Sequence, residues 1–207
     1  MLNLVKTKKG SLTLVFFYYV ISFYLAYLFT KTLDLDGWLL LLVWHITATI
    51  IIFLFSKIHN NSSIYDPFWH VAPIPIVFYI ASQSSLSNLQ QSLVLSAFLF
   101  WALRLTYNWF LNWTNLDHED FRYIDLKNNN KLLAFVNDLF GIHLIPTLIV
   151  NASLYPIFIA LTSDNLNNLV YVGFILIILA VVVQYIADAQ MRDFRKDQNN
   201  LGKTMKY

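Results

Sequence analysis

Apolar residues in this chain come in long blocks, not at the two-residue period of a half-buried strand. The blocks are Leu12–Phe29, Trp38–Phe55, Val71–Ala81, Leu93–Tyr107, Leu139–Leu161 and Leu169–Ala187, separated by short polar stretches. A helix that is apolar all round has to be buried in protein or in lipid. The first, second and last blocks are near the roughly 20 residues that cross about 30 Å of hydrocarbon. The pattern predicts an all-α, polytopic helical membrane bundle of about six transmembrane helices. Val71–Ala81 is short and holds Pro73 and Pro75; it reads as a short helix extended by Phe68 and Trp69, or as a re-entrant segment. Leu139–Leu161 contains Pro146 and Pro156, each lacking a backbone donor, which predicts a kinked helix packed by its neighbours.

Composition agrees. Of 207 residues 57% are hydrophobic and 13% charged, against about 25% charged in soluble domains, and the mean hydropathy is +0.54. The 6 Trp and 12 Tyr suit interfacial belts. Lys6, Lys8 and Lys9 precede the first block as in a signal peptide, but the block is long enough to span and Lys31-Thr32-Leu33-Asp34 reads as an ordinary loop. A retained first helix is expected.

The charges orient the bundle. With the N-terminus inside and six spans, all of the 14 Lys and Arg except Lys31 and Arg104 fall in inner segments. The loops Ser82–Gln91 and Thr162–Asn168 carry neither. The positive-inside rule then puts both termini in the cytoplasm, with residues 1–190 as one membrane domain and 191–207 as a basic cytoplasmic tail. A net charge of +2 makes no case for nucleic acid; the partners expected are the bilayer and a hydrophobic small molecule. Absent cysteine removes disulfides, thiolate metal sites and Cys nucleophiles, and 5 Gly leave no dinucleotide fingerprint.

Four polar clusters stand at the inner ends of the spans. In Asn60–His70, Asp66 directly precedes a membrane segment, where an unpaired carboxylate is costly. Partial desolvation raises its pKa and lets it hold or donate a proton, with Tyr65 as a second donor. Asp before Pro is equally a helix-start signal, and both roles stay open. In Trp101–Trp113, Arg104, Asn108 and Asn112 recur every four residues and share a helical face. This face either lines a polar cavity or lets Arg104 snorkel to the surface. The third cluster, Asp117-His118-Glu119-Asp120-Phe121-Arg122-Tyr123, lacks a second His at ligand spacing and reads as a solvated loop bracing neighbouring helices; no metal site is expected. In the fourth, Gln184, Asp188, Arg192 and Arg195 share a face, suited either to a ribose and its phosphates or to a surface Asp–Arg pair. His143 and Asn151 are buried polar candidates in the proline-bearing helix; a lone His there reads as a satisfied packing residue.

In this order the clusters resemble the bacterial DUF1295 membrane proteins of the steroid 5-alpha-reductase superfamily. The resemblance rests on Ser63-Ile64-Tyr65-Asp66-Pro67-Phe68-Trp69 with Ala72-Pro73, and Arg104-Leu105-Thr106 with Asn108-Trp109. It continues in His118-Glu119-Asp120 with Arg122-Tyr123, Gly141-Ile142-His143 with Pro146-Thr147, and Ala187-Asp188 with Gln190 and Phe194. It implies a helical domain in a bacterial inner membrane that binds NADPH from the cytoplasm and reduces a conjugated carbon–carbon double bond in a lipid or steroid-like substrate. By resemblance Asp66 polarises the substrate carbonyl with Tyr65 in support, and Arg104, Asn112, Asp188, Arg192 and Arg195 fall near cofactor contacts. Trp101 stands where steroid reductases carry a second catalytic Tyr, which departs from their two-residue acid. Family members continue beyond a Gly-Lys-Tyr-like stretch into a further cofactor-binding segment, whereas this sequence ends at Met205-Lys206-Tyr207. On that reading the 207 residues alone hold NADPH weakly and do not turn over. Within the same superfamily an S-adenosylmethionine-dependent isoprenylcysteine-carboxyl-type methyltransferase is the alternative, and a non-catalytic membrane remnant is a third reading.

Overall fold

The structure is a computed structural model describing residues 5–127, 130–200 and 203; the expected end of the tail, Met205–Tyr207, lies outside them. The described residues are helical apart from their connections. Long helices are α1 (Lys8–Thr30), α2 (Gly37–His59), α5 (Asn88–Asn112), α8 (Ile145–Thr162) and α9 (Leu169–Lys196). Shorter ones are α3 (Phe68–Val71), α4 (Pro73–Ser82), α6 (Phe121–Lys127) and α7 (Lys131–Val136). A π-helical segment, Asn137–Leu144, joins α7 to α8, so that Lys131–Thr162 runs as one 32-residue rod. α9 runs through the 190/191 boundary drawn from the sequence, and the start of the basic tail is its last turns.

Among the described residues five helices are long and apolar enough to cross a membrane. The sixth expected span takes the first of its two readings, a short helix extended by Phe68 and Trp69. α4 has 10 residues, about 15 Å at 1.5 Å per residue, and α3 runs into it through Ala72, whose backbone is also helical. Pro73 at the start of α4 supplies no N–H to an unbroken longer helix. The short segment still makes the return passage, as contacts at the two ends of the bundle show. At one end, Lys8 at the start of α1 donates to the carbonyl of Phe110 near the end of α5 (2.5 Å). There too Asn61, just after α2, donates to the carbonyl of Leu116 (2.7 Å), and Arg192 near the end of α9 donates to Asn108 (3.0 Å). At the other end the loops after α4 and α8 meet through Ser85 and Asp164 and through Gln90 and Asn165 (2.8 Å). Among the described residues the helices therefore run between these two ends six times, α4 at half length, and α1 begins at the end where α9 finishes.

Local chemistry sets the boundaries. Thr7 caps α1 by accepting from the Gly10 N–H (3.2 Å). Asn60 ends α2 in the left-handed region (φ 49°), a conformation short polar residues tolerate, and it folds Asn61–Pro67 back beneath the bundle. The irregularity expected of Pro146 and Pro156 appears just before Pro146, as the π segment; Pro156 lies inside α8.

Two apolar cores result. Near the end carrying Asn61, Tyr19, Ala48, Ile52, Ile64, Phe68 and Ile142 pack together; towards the opposite end, Leu41, Val77, Ile80, Phe98, Leu154 and Leu161 do. α9 packs along α5 and contributes no buried residue to either core. It is also the most apolar span, with a mean hydropathy of 2.7. Such a helix is stable only where its outer faces meet hydrocarbon.

Candidate functional site

The loop after α2 is fixed almost atom by atom. Asn61 accepts from the Ser63 N–H (2.8 Å) while donating to the carbonyls of Leu116 and His118. The Ser62 N–H donates to Glu119 Oε1 (2.6 Å), and the Asp120 N–H donates to Ser63 Oγ (2.9 Å). Tyr19 donates to the carbonyl of Ile64 (2.7 Å). The acidic stretch from Asp117 onward is thus the bracing loop its sequence suggested.

That bracing presents Asp66 to a cavity of about 520 Å³ lined by Trp69, His70, Asn108, Asn112, His118 and Arg122, among others. Asp66 does not cap α3: no side-chain cap bond is made there, and its Oδ1 accepts from the Tyr123 hydroxyl at 2.5 Å. Burial pushes the Asp66 carboxyl up from 3.8 to about 6. The Tyr123 bond opposes that rise, and the neighbouring Asp120 and Arg122 pull in opposite directions. Tyr123 is raised by burial and by the adjacent Asp66 charge. Arg122 is tied to Asp120 by two 2.8 Å hydrogen bonds, which hold Asp120 below its ordinary value. The cavity therefore contains a carboxyl whose pKa is raised toward neutrality, hydrogen-bonded to the Tyr123 phenol and the Ser63 hydroxyl, with the nearby Arg122 guanidinium tied to Asp120.

Tyr65 is placed elsewhere. It is 1% exposed, and its hydroxyl pairs with Thr147 (2.8 Å), which in turn pairs with Thr49 (2.9 Å). The phenol beside the Asp66 carboxylate is that of Tyr123, a residue the sequence offered only within a motif and gave no role.

The two four-residue stripes face one another. Arg104 on α5 forms an ion pair with Asp188 on α9 and donates to the side chain and carbonyl of Gln184 (3.2 and 3.0 Å). One turn on, Arg192 donates to Asn108 Oδ1 (3.0 Å), and Asn112 donates to the Asn108 carbonyl (2.7 Å). The Arg104 guanidinium is committed to α9, with its side chain 12% exposed, and does not snorkel. Arg195 is exposed and without a polar partner among the described residues. Asn108 joins both halves: it holds Arg192 and lines the cavity that contains Asp66. Trp109 and Trp113 line the same cavity, stacked at 4.8 Å, and both indole N–H groups are buried without a partner among the described residues. Unmet buried donors beside a cavity suit a ligand rich in acceptor oxygens.

A second polar group, unsuspected from the sequence, sits behind the loop. Asp138 in the π segment is 1% exposed, accepts from Lys57 (3.0 Å) and accepts from Ser62 Oγ (2.6 Å). His143 Nδ1 lies 2.8 Å from the Asp138 carbonyl oxygen and its Nε2 3.2 Å from Ser56 Oγ. His143 and Asn151 are 0% and 1% exposed, and His143 is satisfied by its surroundings, as expected of a packing residue. A π turn aims Asp138 and His143 inward together, and no apolar periodicity announces it.

Helices of this length and apolarity, with polar chemistry gathered at one end, define a polytopic membrane protein with a cavity facing one membrane surface. The chain belongs to the DUF1295 family, whose model, described as a protein of unknown function, matches residues 52–207. No curated protein and no solved structure matches it.

Proposed function

We propose that this protein is a membrane-embedded reductase of a conjugated carbon–carbon double bond in a hydrophobic substrate, drawing on NADPH from the cytoplasm. The carrying observation is Asp66: a shielded carboxyl with a raised pKa, hydrogen-bonded to Tyr123 and facing a cavity shared with the amides of α5. In its protonated form Asp66 donates to a substrate carbonyl oxygen and stabilises the charge that builds there, the task of a general acid poised near the working pH. Tyr123 fixes the carboxyl and supplies a second donor when Asp66 is ionised. The tryptophans lining the cavity screen the site from bulk water.

The cofactor side has donors of the right kind. Arg192, Arg195 and Asn112 offer a guanidinium pair and an amide for phosphate and ribose oxygens, while Arg104, donating to Gln184 and paired with Asp188, gives α9 its position on α5. Bound NADPH supplies the hydride that the β-carbon of the substrate accepts. The concentration of Lys and Arg at this end orients it to the cytoplasm.

The test uses native membranes and the rate of NADPH-dependent enone reduction that disappears when the gene is deleted. Chromosomal Asp66→Asn is expected to lower that rate at least about 100-fold, the low end for losing a general acid, with little change in NADPH affinity. An unchanged rate, or binding of S-adenosylmethionine in place of NADPH by the purified chain, contradicts the proposal.

A further inference from the structure

A second cavity, of about 610 Å³, lies between α5, α8 and α9 and is lined by Leu93, Phe98, Trp101, Leu154, Phe174 and other apolar residues. The O–H of its one hydroxyl, Ser153, is spent on the carbonyl of Ile149 (2.8 Å), so the chamber is lined almost entirely by apolar surface. Ile149 on the α8 wall and Ile177 on the α9 wall are 61% and 42% exposed, so the chamber opens sideways, between helices that cross the membrane.

Trp69 lines both this chamber and the cavity that contains Asp66. The two also follow one another along a single face of α5. Leu93, Ala97 and Trp101 line the apolar chamber; Leu105, Asn108 and Asn112 line the polar cavity. Successive members are three or four residues apart, the spacing of one helical face. At 1.5 Å per residue the apolar stretch of that face extends about 12 Å and the polar stretch about 10 Å. Each volume lies in the range of cavities that enclose a whole small ligand.

We infer that the two cavities form one binding site for an amphiphile, whose apolar chain lies in the side-opening chamber and whose carbonyl head reaches past Trp69 to Asp66. This rests on the reductase reading for the chemistry of the head and adds where the substrate's chain lies and how it enters. Lipid around the chamber is itself apolar, so housing the chain there adds little hydrophobic driving force. What the chamber contributes is position: a chain seated against α5 and α8 holds the head in line with the carboxyl. Specificity then comes from the length and shape of the chain.

The test is binding of a radiolabelled β-pentadecyl methyl enone to the full chain in nanodiscs, against its short β-methyl analogue. Gly173 lines the chamber, and a Cβ added there meets nothing within 4 Å, so Gly173→Phe fills the space without pressing on the backbone. Ser153→Phe fills it from the opposite wall. Both variants are expected to weaken the long-chain enone at least about tenfold and leave the short analogue within about twofold. Unchanged long-chain affinity in both variants, equal losses for long and short ligands, or only non-competing bulk phospholipid in the chamber would overturn the inference. Binding needs no turnover, so the two claims separate. Chain-length-dependent binding without reduction keeps the chamber and removes the reductase. Reduction indifferent to Gly173→Phe keeps the reductase and removes the chamber.

Discussion

Two carboxyls lie near the same end of this bundle and are treated in opposite ways. Asp138 is enclosed by Lys57, Ser62 and His143, and its oxygens have a cation and a hydroxyl to accept from. Asp66 has a phenol at 2.5 Å and cavity beyond it. Burial alone does not make a carboxyl reactive: bonded directly to a cation and a hydroxyl it becomes a structural staple, whereas one bonded only to hydroxyls, with its nearest guanidinium held by another acid, is left able to exchange a proton. On the proposed function, the contrast gives Asp138 a structural part and Asp66 the chemical one.

The largest expected effect falls on the staple. Asp138→Ala leaves Lys57 facing a site built for an anion. Breaking a buried pair costs roughly 3–5 kcal/mol. Since the Lys57 side chain is 39% exposed and can turn to water, a loss of about 2–3 kcal/mol is expected in denaturant unfolding in detergent. A cost under about 0.5 kcal/mol would erase the contrast.

Next comes the pH response of the other carboxyl. In the folded chain Asp66 titrates at about 6, above its ordinary 3.8, so the fold disfavours its charge. Stability is then greatest below about 4 and declines as the pH rises through 6. Asp66→Asn removes that decline and makes the neutral-pH protein more stable by as much as roughly 2–3 kcal/mol. If Asp66 is the acid of the proposed enone reduction, the wild-type rate is expected to fall as the pH rises through about 6.

Smaller effects sharpen the roles of the two phenols. Tyr123→Phe removes the hydrogen bond that holds the Asp66 pKa down, so the carboxyl should titrate at higher pH, with a stability loss of about 1 kcal/mol. Tyr65→Phe removes the bond to Thr147; a stability cost of about 1 kcal/mol is expected with reduction changed less than about twofold. A large rate loss in Tyr65→Phe, with none in Tyr123→Phe, would reverse the assignment.

What the sequence made legible follows from what can be read along one helix. Arg104, Asn108 and Asn112 repeat every four residues, as do Gln184, Asp188 and Arg192, so each stripe was visible before its partner was known; the structure pairs Arg104 with Asp188 and Asn108 with Arg192. The basic end was legible too, because charge is excluded from hydrocarbon. The rest depends on residues distant in sequence. Tyr123 meets Asp66 across 57 positions and Ser62 meets Asp138 across 76, and no local periodicity encodes either meeting. Adjacency misled at Tyr65: successive residues of a turn point in different directions, and its hydroxyl went to Thr147 while the next carboxyl faced the cavity. The half-length α4 was foreshadowed by Pro73 and Pro75, but the π turn that buries Asp138 was not.

The most direct measurement is an infrared titration of the protonated-carboxyl band of the chain in nanodiscs, wild type against Asp66→Asn, with and without a long-chain enone. A band lost in Asp66→Asn, titrating near pH 6 in the wild type and shifting in frequency when the enone binds, is the expected result. An Asp66 that titrates near its ordinary 3.8, with no response to the enone, would contradict the account.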